Sequence, residues 1–449
     1  MSLEIFPSGP LKGTVRIQGD NMLSLSTLLF GMTSGADIEI YNLPDSPDVQ
    51  TFIDFLCNNG AKTEKKENSL RFKGSCWEGS LLVDEKIPKE ILHQFLASCV
   101  FLCETITING SPDFLNLAGY ALEKLAVFSL KPENIKRTET SLFVEKAMFS
   151  PPEEISAGGL WEFELYSAAA FSKKAEINIS HGSAPVDYIL KQLDFFGFRA
   201  DVLESVNSRE KELMRRMKRL TGEKEKPPKK FRWHGNIGSK ISIPGDTVLA
   251  AAVCASTSMI EKSSVEIKNV LLENGRRGIF ESLKKMKCDI EWQPSGDLKP
   301  FESADIKARW SKKEGVTVSF GKSGMLPSEA FIFAVTASLA HGETIINGLS
   351  KPLFDENELK EFVRNIEKIG VHIGCFPDGL IIDGVKSLAG GKTGYTKATE
   401  THPALAVAGI AASGETLVEI ADNNDYYLKS FFRIVGNLSG SNAEIRWNE

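Results

Sequence analysis

The chain has 449 residues, of which 42% are hydrophobic and 25% charged, and a formal net charge of −6. This is the make-up of a globular protein too long for one ordinary core, and it excludes a fibrous or wholly disordered chain. The acidic balance also argues against nucleic-acid binding by the protein as a whole.

From the N-terminus, MSLEIFPSG has neither the basic nor the apolar region of a secretory signal. The longest nearly apolar runs, Thr247 to Ile260 and Ala330 to Ala340, fall short of the roughly 18 residues that cross a bilayer. A cytoplasmic protein without a membrane span is therefore expected. Its seven cysteines are an odd number, scattered through apolar stretches without a CxxC, and read as buried thiols. Six dispersed histidines offer no metal-ligand spacing, so no metal is expected.

One phrase recurs along the chain: a helix rich in small apolar residues, a short polar turn, then a strand. The six copies read TSGADIEIYNL, FLCETITINGS, FSKKAEINISH, IEKSSVEIKNV, LAHGETIINGL and AASGETLVEIA. Their strands begin near Ile38, Ile106, Ile177, Val265, Ile345 and Leu417. Most are followed by an amphipathic helix whose apolar residues recur at helical spacing. Val49, Phe52, Ile53 and Leu56 form one such stripe; Val186, Ile189, Leu190 and Leu193 another; Leu359, Phe362, Val363 and Ile366 a third; Leu428, Phe431, Phe432 and Val435 a fourth. A strand pair around a turn comes next, as in VHIGCFPDGLIIDG, so each repeat is predicted to be βαβαββ.

The helix before each turn has no polar face. Ala250, Ala251, Ala252, Val253, Cys254 and Ala255 are small or apolar all round, which predicts burial on every side. Three such helices enclosed by sheets, twice over, would use all six repeats. TVRIQGD and KISIPGD match each other, and each leads into a buried helix, so Gly19-Asp20 and Gly245-Asp246 are read as domain crossings. The expected domains are 1–18 plus 245–449 and 19–244.

On these residues the chain resembles the EPSP synthase family of enolpyruvyl transferases. The clearest stretches are GPLKGTVRIQGD, GADIEIYNLPDSPDVQTFIDFLCNNGAK, SSVEIKNVLLENGRRGIFESLKKMKCDIE, and HGETIING through LIIDG. The resemblance implies a two-domain inside-out α/β barrel of six βαβαββ repeats. It also implies transfer of a carboxyvinyl group from phosphoenolpyruvate to shikimate 3-phosphate, with no cofactor. Such small anionic substrates need cations and helix N-termini to hold them, and the proton transfer needs a positioned acid and base. A monomer is expected.

At the family's site positions the residue types differ. Its lysine–serine pair and following arginine fall on Asn21, Met22 and Ser26, with Ser24 between them; its phosphoenolpyruvate-gripping arginine falls on His93. The serine–serine–glutamine that holds the shikimate phosphate falls on Leu160, Trp161 and Glu162. The catalytic aspartate falls on Ser328, followed by Glu329. A lysine–glutamate–serine–aspartate–arginine stretch falls on Phe354 to Glu358, and an aspartate–histidine–arginine motif on Ala398, Thr399 and Glu400. Two arginines have thus become Glu358 and Glu400.

The candidate catalytic residues are Ser328, Glu329 and Glu358, and the candidate substrate-binding residues Asn21, Ser24, His93, Glu162 and Glu400. Each has a plainer reading: His93 as a hydrogen-bonded structural residue, Glu329 as a helix-start acid near the dipole, Glu358 and Glu400 as solvated side chains. Two functions stay open, an enzyme of the family working through other residues and a non-catalytic paralogue serving as a binding scaffold. A basic stretch, Arg209 to Arg232, carries eleven lysines and arginines against four glutamates and is read as an insertion suited to an acidic partner.

Overall fold

A computed structural model describes residues 2–180, 186–202, 229–273, 275–295, 300–350, 354, 356–396, 398–420, 425–440 and 445–448. Most of the basic stretch, 209–228, lies outside the described residues; 229–232 belong to the strand Lys229–Trp233. The chain divides into two compact units. One comprises Met1–Gln18, Pro244–Leu298 and Glu302–Glu449, the other Gly19–Ile243 and Lys299–Phe301.

The Gly19–Ile243 unit contains α1 (Asn21–Ser34), α2 (Pro47–Asn58), α3 (Lys89–Cys99), α4 (Pro112–Lys124), α5 (Leu160–Ser172) and α6 (Asp187–Phe195). The odd-numbered helices are central, with α3 packed against both α1 and α5. Phe30 of α1 meets Phe171 of α5 edge-on, with ring centroids 5.0 Å apart. In α1 and α5 almost every residue is buried, as their lack of a polar face predicts. The even-numbered helices are amphipathic and bury only a stripe, which in α2 is Val49, Phe52, Ile53 and Leu56.

The other unit repeats the plan with α7 (Thr247–Met259), α8 (Gly278–Lys285), α9 (Pro327–Ala337), α10 (Glu356–Glu367), α11 (His402–Ala411) and α12 (Tyr426–Ser439). Here α7, α9 and α11 all pack on one another. Small residues make this possible, because Ala250, Ala251 and Ala252 have no accessible surface and keep the axes close.

Among the described residues, six four-stranded sheets stand around the central helices, three in each unit. Each has one parallel pairing followed by antiparallel ones, as in Lys240–Ser242, Asp37–Tyr41, Ser69–Lys73 and Lys62–Lys65. This is the predicted βαβαββ unit. The first strand of some repeats comes from far away in sequence. Lys12–Arg16 leads into α1 but pairs parallel with Ser264–Leu271. Lys240–Ser242 leads into α7 but pairs parallel with Asp37–Tyr41.

The turn after each of these two strands sets a glycine close against a backbone carbonyl. A Cβ at Gly19 would lie 2.0 Å from the Asn42 carbonyl oxygen, and one at Gly245 would lie 3.1 Å from that of Asn269. Both asparagines have positive φ, 60° and 61°. An asparagine in this left-handed conformation turns its carbonyl into the glycine, so the two Gly-Asp turns share one chemistry.

Candidate functional site

In the Gly19–Ile243 unit, Asp20 opens α1 by accepting from Leu23 N at 2.8 Å, and Ser24 donates back to the Asp20 carbonyl at 2.7 Å. Asn21 is the buried first residue of this helix. One turn on, Ser26 and Thr27 face α6, where the Gln192 amide donates to their hydroxyls at 2.8 and 3.0 Å. The Ser26 position is thus occupied by an interior polar contact between two helices.

His93 lies in the middle of α3, where its Nε2 stands 2.9 Å from Glu164 Oε2 of α5. The other oxygen of Glu164 accepts from the Tyr188 hydroxyl of α6. These partners explain how a carboxylate can lie inside an otherwise apolar helix. The His93 ring also stacks on the Trp161 indole, with centroids 4.9 Å apart, and Tyr120 covers the indole from α4 at 5.2 Å.

Glu162 stands in the first turn of α5. One oxygen accepts from Gly158 N at 2.6 Å and the other meets Lys124 Nζ at 2.6 Å. Burial pushes this carboxyl up, but the Lys124 ammonium and the Gly158 N–H outweigh that and hold it below the usual glutamate range. It is ionised at neutral pH and already paired.

In the other unit, Ser328 is half-buried in the first turn of α9, beside fully buried Glu329. Glu329 Oε2 accepts from Leu326 N at 2.9 Å, closing the start of its own helix. Glu358 lies half-buried in the first turn of α10. Glu400 lies on the short 3-10 turn Thr399–Thr401, which packs against α9.

Directly after that turn, His402 begins α11 with 2% of its surface exposed. Its Nδ1 lies 2.6 Å from Asp425 Oδ2, and Asp425 Oδ1 accepts from Leu428 N at 2.8 Å, capping α12.

The structure therefore draws His93 and Trp161 together, with Glu162 adjacent in α5. It places Asn21 and Ser24 in α1, and Ser328, Glu329, Glu358 and Glu400 at the starts of three elements. The polar partners missed in the sequence are Glu164, Tyr188, Lys124 and the His402–Asp425 pair. One signal was available: Glu164 is an acid in the apolar run LWEFELYSAAAF, and a buried acid requires a partner. Among the described residues no cluster of histidine, cysteine and carboxylate could hold a metal, and no helix is long and apolar enough to cross a membrane.

Six repeats in two units, each with three central helices inside its sheets, define a protein of the enolpyruvyl-transferase class. The family model for EPSP synthase (3-phosphoshikimate 1-carboxyvinyltransferase) matches residues 211–435, and the chain belongs to that family. The 3-phosphoshikimate 1-carboxyvinyltransferase of Desulforamulus reducens is 25% identical over 427 residues, covering 94% of this chain and 96% of that protein. The protein of the same name from Desulfitobacterium hafniense is 22% identical, covering 98% of each. Among solved structures, EPSP synthase from Acinetobacter baumannii superposes with a TM-score of 0.71 at 17% identity, covering 99% of this chain and 100% of that one. The enolpyruvyl transferase NikO from Streptomyces tendae gives 0.72 at 15%, covering 99% and 98%. At those identities the two structures establish the shared fold.

Proposed function

We propose that this chain keeps the EPSP synthase scaffold as a non-catalytic paralogue and does not transfer the carboxyvinyl group of phosphoenolpyruvate to shikimate 3-phosphate. The observation that carries this reading is the 4.9 Å stacking of His93 on Trp161. By resemblance, the first stands where an arginine grips phosphoenolpyruvate and the second where a serine holds the shikimate phosphate. Two positions that would each face a ligand are here filled by one another.

Electrostatics supports the same reading. A charge-assisted hydrogen bond contributes about 1.5–3 kcal/mol, so losing two phosphate contacts forfeits roughly a hundredfold or more in affinity. Asn21 and His93 replace two expected cations, and Glu358 and Glu400 put negative charge where two more would stand. Lys124, which reaches the first turn of α5, is already held there by Glu162.

The test is phosphate release by the purified protein given shikimate 3-phosphate and phosphoenolpyruvate. Release at the buffer rate is expected, and turnover at an ordinary enzymatic rate overturns the proposal. A second reading, that the family reaction persists on other residues, is favoured by end-to-end likeness to carboxyvinyltransferases, and the same assay decides between the two.

A further inference from the structure

Away from these residues, the Gly19–Ile243 unit carries a surface groove of about 390 Å³ lined by Phe101, Lys146, Ala147, Met148, Phe149 and Lys173. Its aromatic floor is fixed by packing. Phe149 stacks on Phe128 at 5.1 Å and meets Phe101 edge-on at 5.0 Å, and Phe101 meets Phe128 at 6.2 Å. Phe101 and Phe128 are fully buried. A ring locked between two others has little freedom left to lose when something covers it.

Above this floor the side chains are poised outward. Met148 is 85% exposed, more than any other large hydrophobic among the described residues. A single exposed methionine is ordinary. This one stands beside a rigid aromatic surface and two ammonium groups, and methionine adapts its shape to what packs on it. Among the described residues neither Lys146 nor Lys173 has an ion-pair partner. In a chain of net charge −6, that is a local cationic apolar surface with its charges uncommitted.

We propose that this groove docks an acidic segment of a partner protein, which sets one bulky apolar side chain against Met148 and Phe149 and its carboxylates on Lys146 and Lys173. Charge complementarity selects the acidic segment. The apolar floor selects a segment that also carries an anchor, since the anchor supplies most of the affinity in such contacts. Four of its lining residues, Lys146 to Phe149, are consecutive and directly follow the strand Ser141–Glu145. This inference does not depend on whether the chain is catalytic.

The test uses the full-length protein and a fluorescent peptide of about twelve Asp and Glu residues with one central Leu. Two control peptides carry Ser for the Leu, or Lys for the acids. The acidic Leu peptide is expected to bind saturably and more weakly as salt rises. The Ser control and the Met148→Ser protein are each expected to lose roughly fivefold in affinity. The Lys146→Glu/Lys173→Glu protein is expected to lose at least roughly tenfold, with melting temperatures unchanged because these side chains make no hydrogen bond or ion pair among the described residues. Equal binding by wild type and the charge-reversed protein overturns the proposal, as does no saturation by about 1 mM peptide. Lysine-dependent binding to phosphatidylserine vesicles without peptide binding overturns it too, assigning the surface to lipid.

Discussion

Glu164 reaches His93 at 2.9 Å across the α3–α5 contact, with only 8% of its side chain exposed. Water cannot replace either group at that burial, so the pair ties two central helices together. Replacing Glu164 by Ala removes the acceptor of both His93 and Tyr188, and is expected to cost about 3 kcal/mol or more. Glu164→Gln keeps an acceptor oxygen and is expected to cost about 1–2 kcal/mol. Urea unfolding curves of the two variants check the order; equal stabilities would mean the carboxylate does not bridge the helices.

Asp425 performs two tasks that substitution can separate. Its Oδ1 caps α12 at Leu428 N, and its Oδ2 holds His402. Asparagine is as good a cap as aspartate but cannot accept the histidine proton with a charge. Asp425→Ala is therefore expected to lose about 1 kcal/mol for the cap and at least as much again for the pair. Asp425→Asn should lose only the second part. Nitrogen-15 shifts of the His402 ring, read alongside the unfolding curves, should change in both variants.

The repeats were legible because they rest on periodicity. Polar-free runs such as Ala250 to Ala255 have one physical solution, burial on all sides, and amphipathic stripes such as Leu428, Phe431, Phe432 and Val435 have one buried face. The strand exchange was half-legible: the match of TVRIQGD with KISIPGD marked two equivalent turns, but only the sheet register shows that Lys12–Arg16 belongs beside Ser264–Leu271. The site was harder because its contacts join distant positions. Nothing local to His93 announces Glu164, 71 residues away, and nothing near His402 announces Asp425. The plain reading of Glu329 was available from its place at a helix start, and its bond to Leu326 N is that reading in atoms.

Asp20 and Asp246 give the equivalence of the two halves a quantitative test. Each caps a central helix, accepting from Leu23 N at 2.8 Å and from Leu249 N at 2.9 Å, and neither is open to water. Exposed caps cost about 0.5–2 kcal/mol when replaced by Ala, and burial places these at the upper end. Asp20→Ala and Asp246→Ala should each lose about 2 kcal/mol, and the Asn variants should recover most of it. A loss confined to one of the two would show that the matching turns do unequal work.

Cys288 makes the stability of the chain depend on alkaline pH. Burial raises its thiol from 9.0 to about 11, against the opposing pull of Lys313 and a bond with Ser258. Between those values the unfolded chain has released a proton that the folded chain still holds, so stability falls as pH rises. The stabilising contribution is fully present below pH 9 and declines toward pH 11, at up to about 1.4 kcal/mol per pH unit. Lys313 acts in the opposite sense. Its ammonium donates to the carbonyls of Ser258 and Ser311 at 2.7 and 3.0 Å, and burial lowers its pKa from 10.5. The folded chain therefore releases that proton first, and stability from this group rises with pH up to 10.5. Because the two trends overlap, the wild-type curve alone does not isolate either. Wild type against Cys288→Ala reads the thiol together with its coupling to Lys313, since each group shifts the other. Urea unfolding between pH 8.5 and 10.5 should show wild type losing about 2 kcal/mol relative to the variant. A difference that stays constant across that range would mean the thiol titrates alike in both states and is not desolvated by the fold.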